Sequence, residues 1–190
     1  MTILNVSAGL KKLLALSKVM CSLWLLSLSL LWAQPSLGGS TSDLVELIKR
    51  YEGYSATAYQ CQGGVWTVGW GSTRDVHEGL VVTLAEANRR LGLDLDRARR
   101  RVATLVVVPL TSYQRDALTS LVFNIGVGNL RSSTLLAKLN KGDYAGAQAE
   151  FKRWRKSGGV VLPGLVARRA EEATMFGGPH GRLLFYGRES

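Results

Sequence analysis

Apolar residues recur along this chain in three rhythms, and each predicts a different element. From Val19 to Ala33 the side chains are mostly apolar, and from Val19 to Ser42 not one is charged. From Ser42 the rhythm becomes helical: Leu44, Leu47 and Ile48 share a face, Tyr51 lies one turn on, Ser42 can cap, and Asp43 stands in the first turn. This helix is expected to end near Glu52-Gly53. Between Tyr54 and Thr73 aromatic and β-branched residues are broken by Gly63-Gly64 and closed by Gly69 and Gly71, the pattern of a small antiparallel sheet.

Helical spacing then returns. Thr83-Leu84-Ala85-Glu86 reads as a capping box opening a long helix to about Thr104, with Gly92 inside it costing roughly 1 kcal/mol. Thr111-Ser112-Tyr113-Gln114 is a second box, leading into Ala117, Leu118, Leu121 and Val122. Ser132 and Ser133 precede Thr134-Leu135-Leu136, Gly142 ends that element and Asp143 caps the next. Pro163 fits the first turn of a last helix stopped by Gly177-Gly178-Pro179. The sum is one helix, a small sheet and about five helices, an α+β domain that is mainly helical. Its expected bounds are 42–178, after an N-terminal segment and linker (1–41) and before a tail (179–190).

With 190 residues, 46% hydrophobic and 20% charged, the chain can bury one core but not two ordinary ones. The formal charge of +10 draws it to polyanions without choosing among them. Much of that charge lies in Arg89, Arg90, Arg97, Arg99, Arg100 and Arg101, which alternate with leucines and read as a solvated helix face. Cys21 and Cys61 form no CxxC or Cys/His pattern, and His77 and His180 are far apart, so no metal is expected. Glycine-rich phosphate loops and nucleic-acid modules are absent from the sequence; neither a cofactor nor a specific nucleic acid is expected, and a monomer is.

Lys11, Lys12 and Lys18 precede the apolar block and no acid occurs before Asp43, which places the N-terminus in the cytoplasm and the rest across the membrane. The block Val19–Ala33 is 15 residues and contains Ser22, Ser27 and Ser29. A spanning helix needs roughly 20, so Leu13 to Ser17 or Gln34 to Gly38 must be recruited. Three readings stay open: a signal peptide cleaved after Gly38, a permanent anchor, and a segment that later leaves the bilayer. Gln34 to Thr41, with a proline and two glycines, reads as a flexible linker.

Hydrolysis of a glycosidic bond needs a carboxylic acid to protonate the leaving oxygen and a second group across the bond to activate water or stabilise developing cationic charge. Glu52 at a helix end, Cys61 after eight further residues and Thr67 after five more offer such a set, because a helix end facing a sheet makes a cleft with two walls.

This spacing, closed by Gly69-Trp70-Gly71, resembles the catalytic motif of the phage-type lysozymes of the T4 family, glycoside hydrolase family 24. The likeness continues through Gln114-Arg115-Asp116-Ala117-Leu118, Phe123-Asn124-Ile125-Gly126, Ser133-Thr134-Leu135-Leu136, Asn140-Lys141-Gly142-Asp143, Trp154 and Gly164-Leu165-Val166-Ala167-Arg168-Arg169-Ala170-Glu171. The resemblance implies a lysozyme-like fold whose small sheet flanks the cleft. It also implies hydrolysis of the β-1,4 bond between N-acetylmuramic acid and N-acetylglucosamine of peptidoglycan, without metal or cofactor. Carried over, Glu52 is the general acid, Cys61 takes a position where many relatives hold Asp, and Thr67 orients the attacking water. Arg168 or Arg169 resembles the family arginine that pairs with the acid. Asn124 is expected to face the cleft and Trp154 to be core. A thiol with reference pKa near 8.5 is a weaker anion than Asp at pH 7. Ser72 stands where the family usually has His, which removes a structural hydrogen-bond or ion-pair partner.

The apolar block resembles the weak anchors of signal-anchor-release endolysins, which implies a phage or prophage enzyme exported to the periplasm and first tethered to the inner membrane. Some of those enzymes are caged by a disulfide on the catalytic cysteine. Here the one intramolecular partner of Cys61 is Cys21, which lies inside the bilayer while the anchor spans it, beyond the roughly 6 Å Cα separation a disulfide needs. Two competing classes are a catalytically weak peptidoglycan-binding module and a cationic membrane-active protein.

Overall fold

A computed structural model describes residues 41–61 and 63–178; the apolar block with Cys21, nearly all of the linker and the tail from 179 lie outside the described residues. The first helix, α1 (Thr41–Glu52), buries Leu44, Leu47 and Ile48 on the face their spacing predicts. It runs to Glu52, and Gly53 leaves it at a φ of 71°.

Strands β1 (Ser55–Gln60) and β2 (Trp66–Gly69) pair antiparallel with Tyr59 opposite Thr67 and Gln60 opposite Trp66, with an irregularity between Ser55 and Tyr59. Single bridges, Thr57 to Val81 and Val68 to Ser72, extend this small sheet. Val68, Val82 and Ala87 form the cluster that seats it on the next helix. Gly69 is required at that seam: its φ is 65°, and a Cβ there would lie 2.9 Å from the Ala87 Cβ.

Helix α2 (Leu84–Leu105) buries Ala87, Leu91, Leu95, Ala98 and Val102, a stripe with spacings of three and four residues. At about 1.5 Å per residue it is long enough to serve two cores. Leu91 and Leu95 pack with Leu44 and Ile48 of α1, while Ala98 and Val102 belong to the larger cluster of the C-terminal helices. Thr83 accepts from the Glu86 amide, but the Glu86 carboxylate turns to Arg89 and Arg90, so the expected box is half formed. The arginine-rich face is solvated and largely self-paired: Arg97 binds Asp94, and Arg99 reaches Asp96 and Asp116.

Five more helices build the C-terminal core: α3 (Ser112–Ile125), α4 (Val127–Arg131), α5 (Thr134–Leu139), α6 (Tyr144–Glu150) and α7 (Pro163–Phe176). The Thr111–Gln114 box closes in both directions, Asp143 caps α6 as expected, and Ser133, the second of the two serines before α5, caps that helix. Trp154 packs half-buried on this core, as its spacing from Phe151 implied. The sequence reading missed the break at Gly126 that separates α4 from α3, and a second hairpin of β3 (Lys156–Ser157) and β4 (Val160–Val161). Its two-residue turn is Gly158-Gly159, both at positive φ, the pairing that a tight hairpin demands.

Candidate functional site

Glu52 ends α1, and its position follows from the apolar face that buries that helix. Its carboxylate lies beside Gly71, where the backbone at a φ of 92° and the missing Cβ admit it; a Cβ there would sit 3.3 Å from Glu52 Oε2. Ser72, next in sequence, exchanges both backbone hydrogen bonds with Val68 of β2, so the turn that follows β2 is what meets the helix end. Ser72 also corrects an expectation. Its hydroxyl donates to Asp94 at 2.6 Å, so the position keeps a structural hydrogen bond although it lacks the ring of histidine.

Across 116 residues of sequence, Arg168 on α7 donates through Nη1 to Glu52 Oε1 at 2.6 Å. Arg168 is 3% exposed and Glu52 22%, which leaves the pair open to a ligand on the carboxylate side only. Of the two candidate arginines, Arg168 is therefore the one that pairs with the Glu52 carboxylate. Arg169 turns inward to Glu172 at 2.8 Å. Tyr51 covers Arg168, whose Cζ lies 5.6 Å from the ring centroid. The same tyrosine donates to Glu171 at 2.6 Å, and Arg50 binds that carboxylate too, riveting the end of α1 to α7. Burial, then the hydrogen bond to Glu171, pushes the Tyr51 phenol up to about 12.

Cys61 and Thr67 belong to the hairpin. The amide of Gly63, then that of Val65, favours the Cys61 thiolate; partial burial opposes them and the Thr67 hydroxyl adds a smaller contribution in the same direction. The thiol is thus lowered from its ordinary value, which offsets part of its disadvantage against a carboxylate. Thr67 is buried and donates to the Val65 carbonyl at 3.1 Å. Asn124 is exposed in the last turn of α3. A cavity of about 460 Å3 between α2 and α3, lined by Val102, Val106, Leu110 and Arg115 among others, contains none of the candidate residues, so cavity size is no guide to the site.

The sequence reading gave Ser120 and Glu172 no role, and it placed Tyr51 on the helix face and Gly71 at the close of the sheet without linking either to Glu52. The signal available was Glu172 four residues beyond Arg168, a spacing that puts both on one helix face.

The profile of the phage lysozyme family matches residues 49–172, a span that holds Glu52, Cys61, Thr67 and Arg168. The chain belongs to the phage lysozyme family. An endolysin of Acyrthosiphon pisum secondary endosymbiont phage 1 is 47% identical over 134 residues, covering 68% of this chain and 92% of that protein. A SAR-endolysin of Enterobacteria phage P21 is 41% identical over 122 residues, covering 64% of this chain and 74% of its own. The chain spans about half the length of the Bacillus phage endolysins it also matches. Among solved structures, the muramidase domain of SpmX from Asticaccaulis excentricus superposes with a TM-score of 0.68 at 36% identity, over 73% of this chain and 97% of that one. This phage lysozyme is accordingly a glycoside hydrolase with a lysozyme-like fold, acting in lysis of the host cell wall.

Proposed function

We propose that this lysozyme cleaves the β-1,4 bond between N-acetylmuramic acid and N-acetylglucosamine of peptidoglycan with Glu52 as its general acid. The observation that carries the reading is the one-sided grip on Glu52: Arg168 occupies Oε1 at 2.6 Å, while Oε2 lies toward Gly71 and the sheet. A proton on Oε2 is the one passed to the leaving glycosidic oxygen. As it departs, Arg168 stabilises the carboxylate left behind, so the arginine acts most strongly when charge develops. Cys61, with its thiolate favoured by two amides, faces the positive charge forming on the sugar, and Thr67 orients the attacking water. Asn124 contacts the glycan from α3.

Glu52→Gln tests this on a peptidoglycan zymogram, because it removes the transferable proton and keeps size. Clearing is expected to vanish while the circular dichroism spectrum is retained; near-normal turnover would overturn the assignment. Cys61→Asp should stay active and Cys61→Ala should lose most activity, and equal rates for alanine and cysteine would make Cys61 structural.

The organisation we infer is an N-terminal signal-anchor and linker (1–41), a catalytic domain (42–178) and a tail (179–190), acting as a monomer in the periplasm after inner-membrane tethering. The SAR-endolysin relatives and the uncharged stretch Val19–Ser42 behind three lysines support it. Cells carrying Cys21→Ser should lyse at an equal or faster rate once the membrane potential is collapsed; a requirement for Cys21 would point to thiol exchange as the trigger.

A further inference from the structure

We infer that Glu172 is a positioning residue: it aims the Arg168 guanidinium at the Glu52 carboxylate. The inference rests on Glu52 being the acid. Glu172 lies one helical turn beyond Arg168 on α7 and is fully buried. Its Oε1 takes three donors: the Ser120 hydroxyl at 2.6 Å, Arg169 Nη2 at 2.8 Å and Arg168 Nε at 3.1 Å. Arg168 is consequently held on three edges. Nε binds Glu172, Nη2 points to the Ser120 carbonyl at 3.4 Å, and Nη1 reaches Glu52. A planar fork with an acceptor on each edge has its plane set, and the Nη1 direction with it. Without Glu172 the group would be free to turn about its last torsion, with Glu52 as its one strong acceptor.

Stability alone does not account for this array. Arg169 Nε and Nη1 and Glu172 Oε2 make no hydrogen bond among the described residues, although all three atoms are buried. Buried ion pairs are often replaced by apolar residues at no loss of stability, so unsatisfied charge at this depth needs another reason. Arg169 supplies one: two guanidinium groups face the two carboxylates Glu52 and Glu172, and Arg169 with Arg168 opposes the burial that pushes the Glu172 carboxyl up, while Arg168 is also engaged with Glu52.

The decisive comparison is between two double variants of the full chain, Arg169→Leu with Glu172→Met and Arg169→Leu with Glu172→Gln. Both remove the two buried charges together, and they differ in whether an acceptor for Arg168 Nε remains. On soluble peptidoglycan fragments the methionine variant should lose about tenfold in kcat, the scale of a sub-ångström misplacement, at unchanged KM. The glutamine variant should recover most of that loss. Equal kcat in the two, with both folded by thermal unfolding, overturns the proposal. Should either fail to fold, Ser120→Ala loosens Glu172 without touching a charge; a lowered kcat at constant KM supports the role and an unchanged kcat overturns it. Glu52→Gln in the same assay separates the two levels. If it turns over normally the acid assignment itself falls, whereas an inactive Glu52→Gln beside indifferent Glu172 variants removes the positioning role alone.

Discussion

Replacing Gly71 by alanine perturbs Glu52, the proposed acid, without touching it chemically. The residue has a φ of 92°, in the region that side chains disfavour, and the added Cβ would lie 3.3 Å from Glu52 Oε2 and 3.7 Å from its Cδ and Cγ. The backbone strain costs about 1–2 kcal/mol, which for a domain of this size lowers Tm by roughly 3–8 °C. Ordinary carbon contacts lie near 3.5–4.0 Å, so Glu52 must yield by about 0.3 Å. It cannot yield freely, because Oε1 is held at 2.6 Å by Arg168. If 1 Å of misplacement costs about a hundredfold, a few tenths should cost several-fold up to about tenfold in rate. Gly79→Ala is the control: its φ is 78° and no atom lies within 4 Å of the added Cβ, so it carries the strain without the contact. Clearing rates of purified peptidoglycan at 25 °C, with both variants folded, should fall for Gly71→Ala alone. A wild-type rate for Gly71→Ala, or an equal loss in Gly79→Ala, would refute the reasoning.

The Cys61 thiolate is favoured first by the Gly63 amide and then by that of Val65, so iodoacetamide alkylation followed against pH should inflect below the value of a free cysteine; Thr67→Val should move the inflection up only slightly, since its contribution is the smaller. Asp116 is buried, and burial pushes its carboxyl up despite Arg99 at 3.6 Å. A raised folded-state pKa favours the protonated form, so its stability contribution is complete below the ordinary carboxylate range and lost as pH rises through the raised value. Asp116→Asn should therefore raise the urea midpoint at pH 7 and leave it unchanged near pH 3, and identical pH profiles for the two proteins would exclude the effect. Thr111→Ala opens a capping box satisfied in both directions and should cost about 1 kcal/mol in urea unfolding with activity retained.

Local patterns determined most of the elements. The faces of α1 and α2, the caps at Thr111, Ser133 and Asp143, and the glycine-closed sheet are each set by interactions within a few residues, and so they were legible along the chain. The spacing of Glu52, Cys61 and Thr67 was legible for the same reason, since one helix end and one hairpin carry all three. The Gly158-Gly159 hairpin was equally local and was overlooked because its strands are only two residues each. Tertiary structure decided the rest. Adjacent arginines on one helix point about 100° apart, so only the packing of α7 against α1 and α3 selects Arg168 for Glu52 and sends Arg169 to Glu172. Likewise Ser72 found Asp94 across 22 residues, and the Ser120 hydroxyl found Glu172 across 52. Those partners depend on how buried faces come together in three dimensions, a distance that spacing along the chain does not encode.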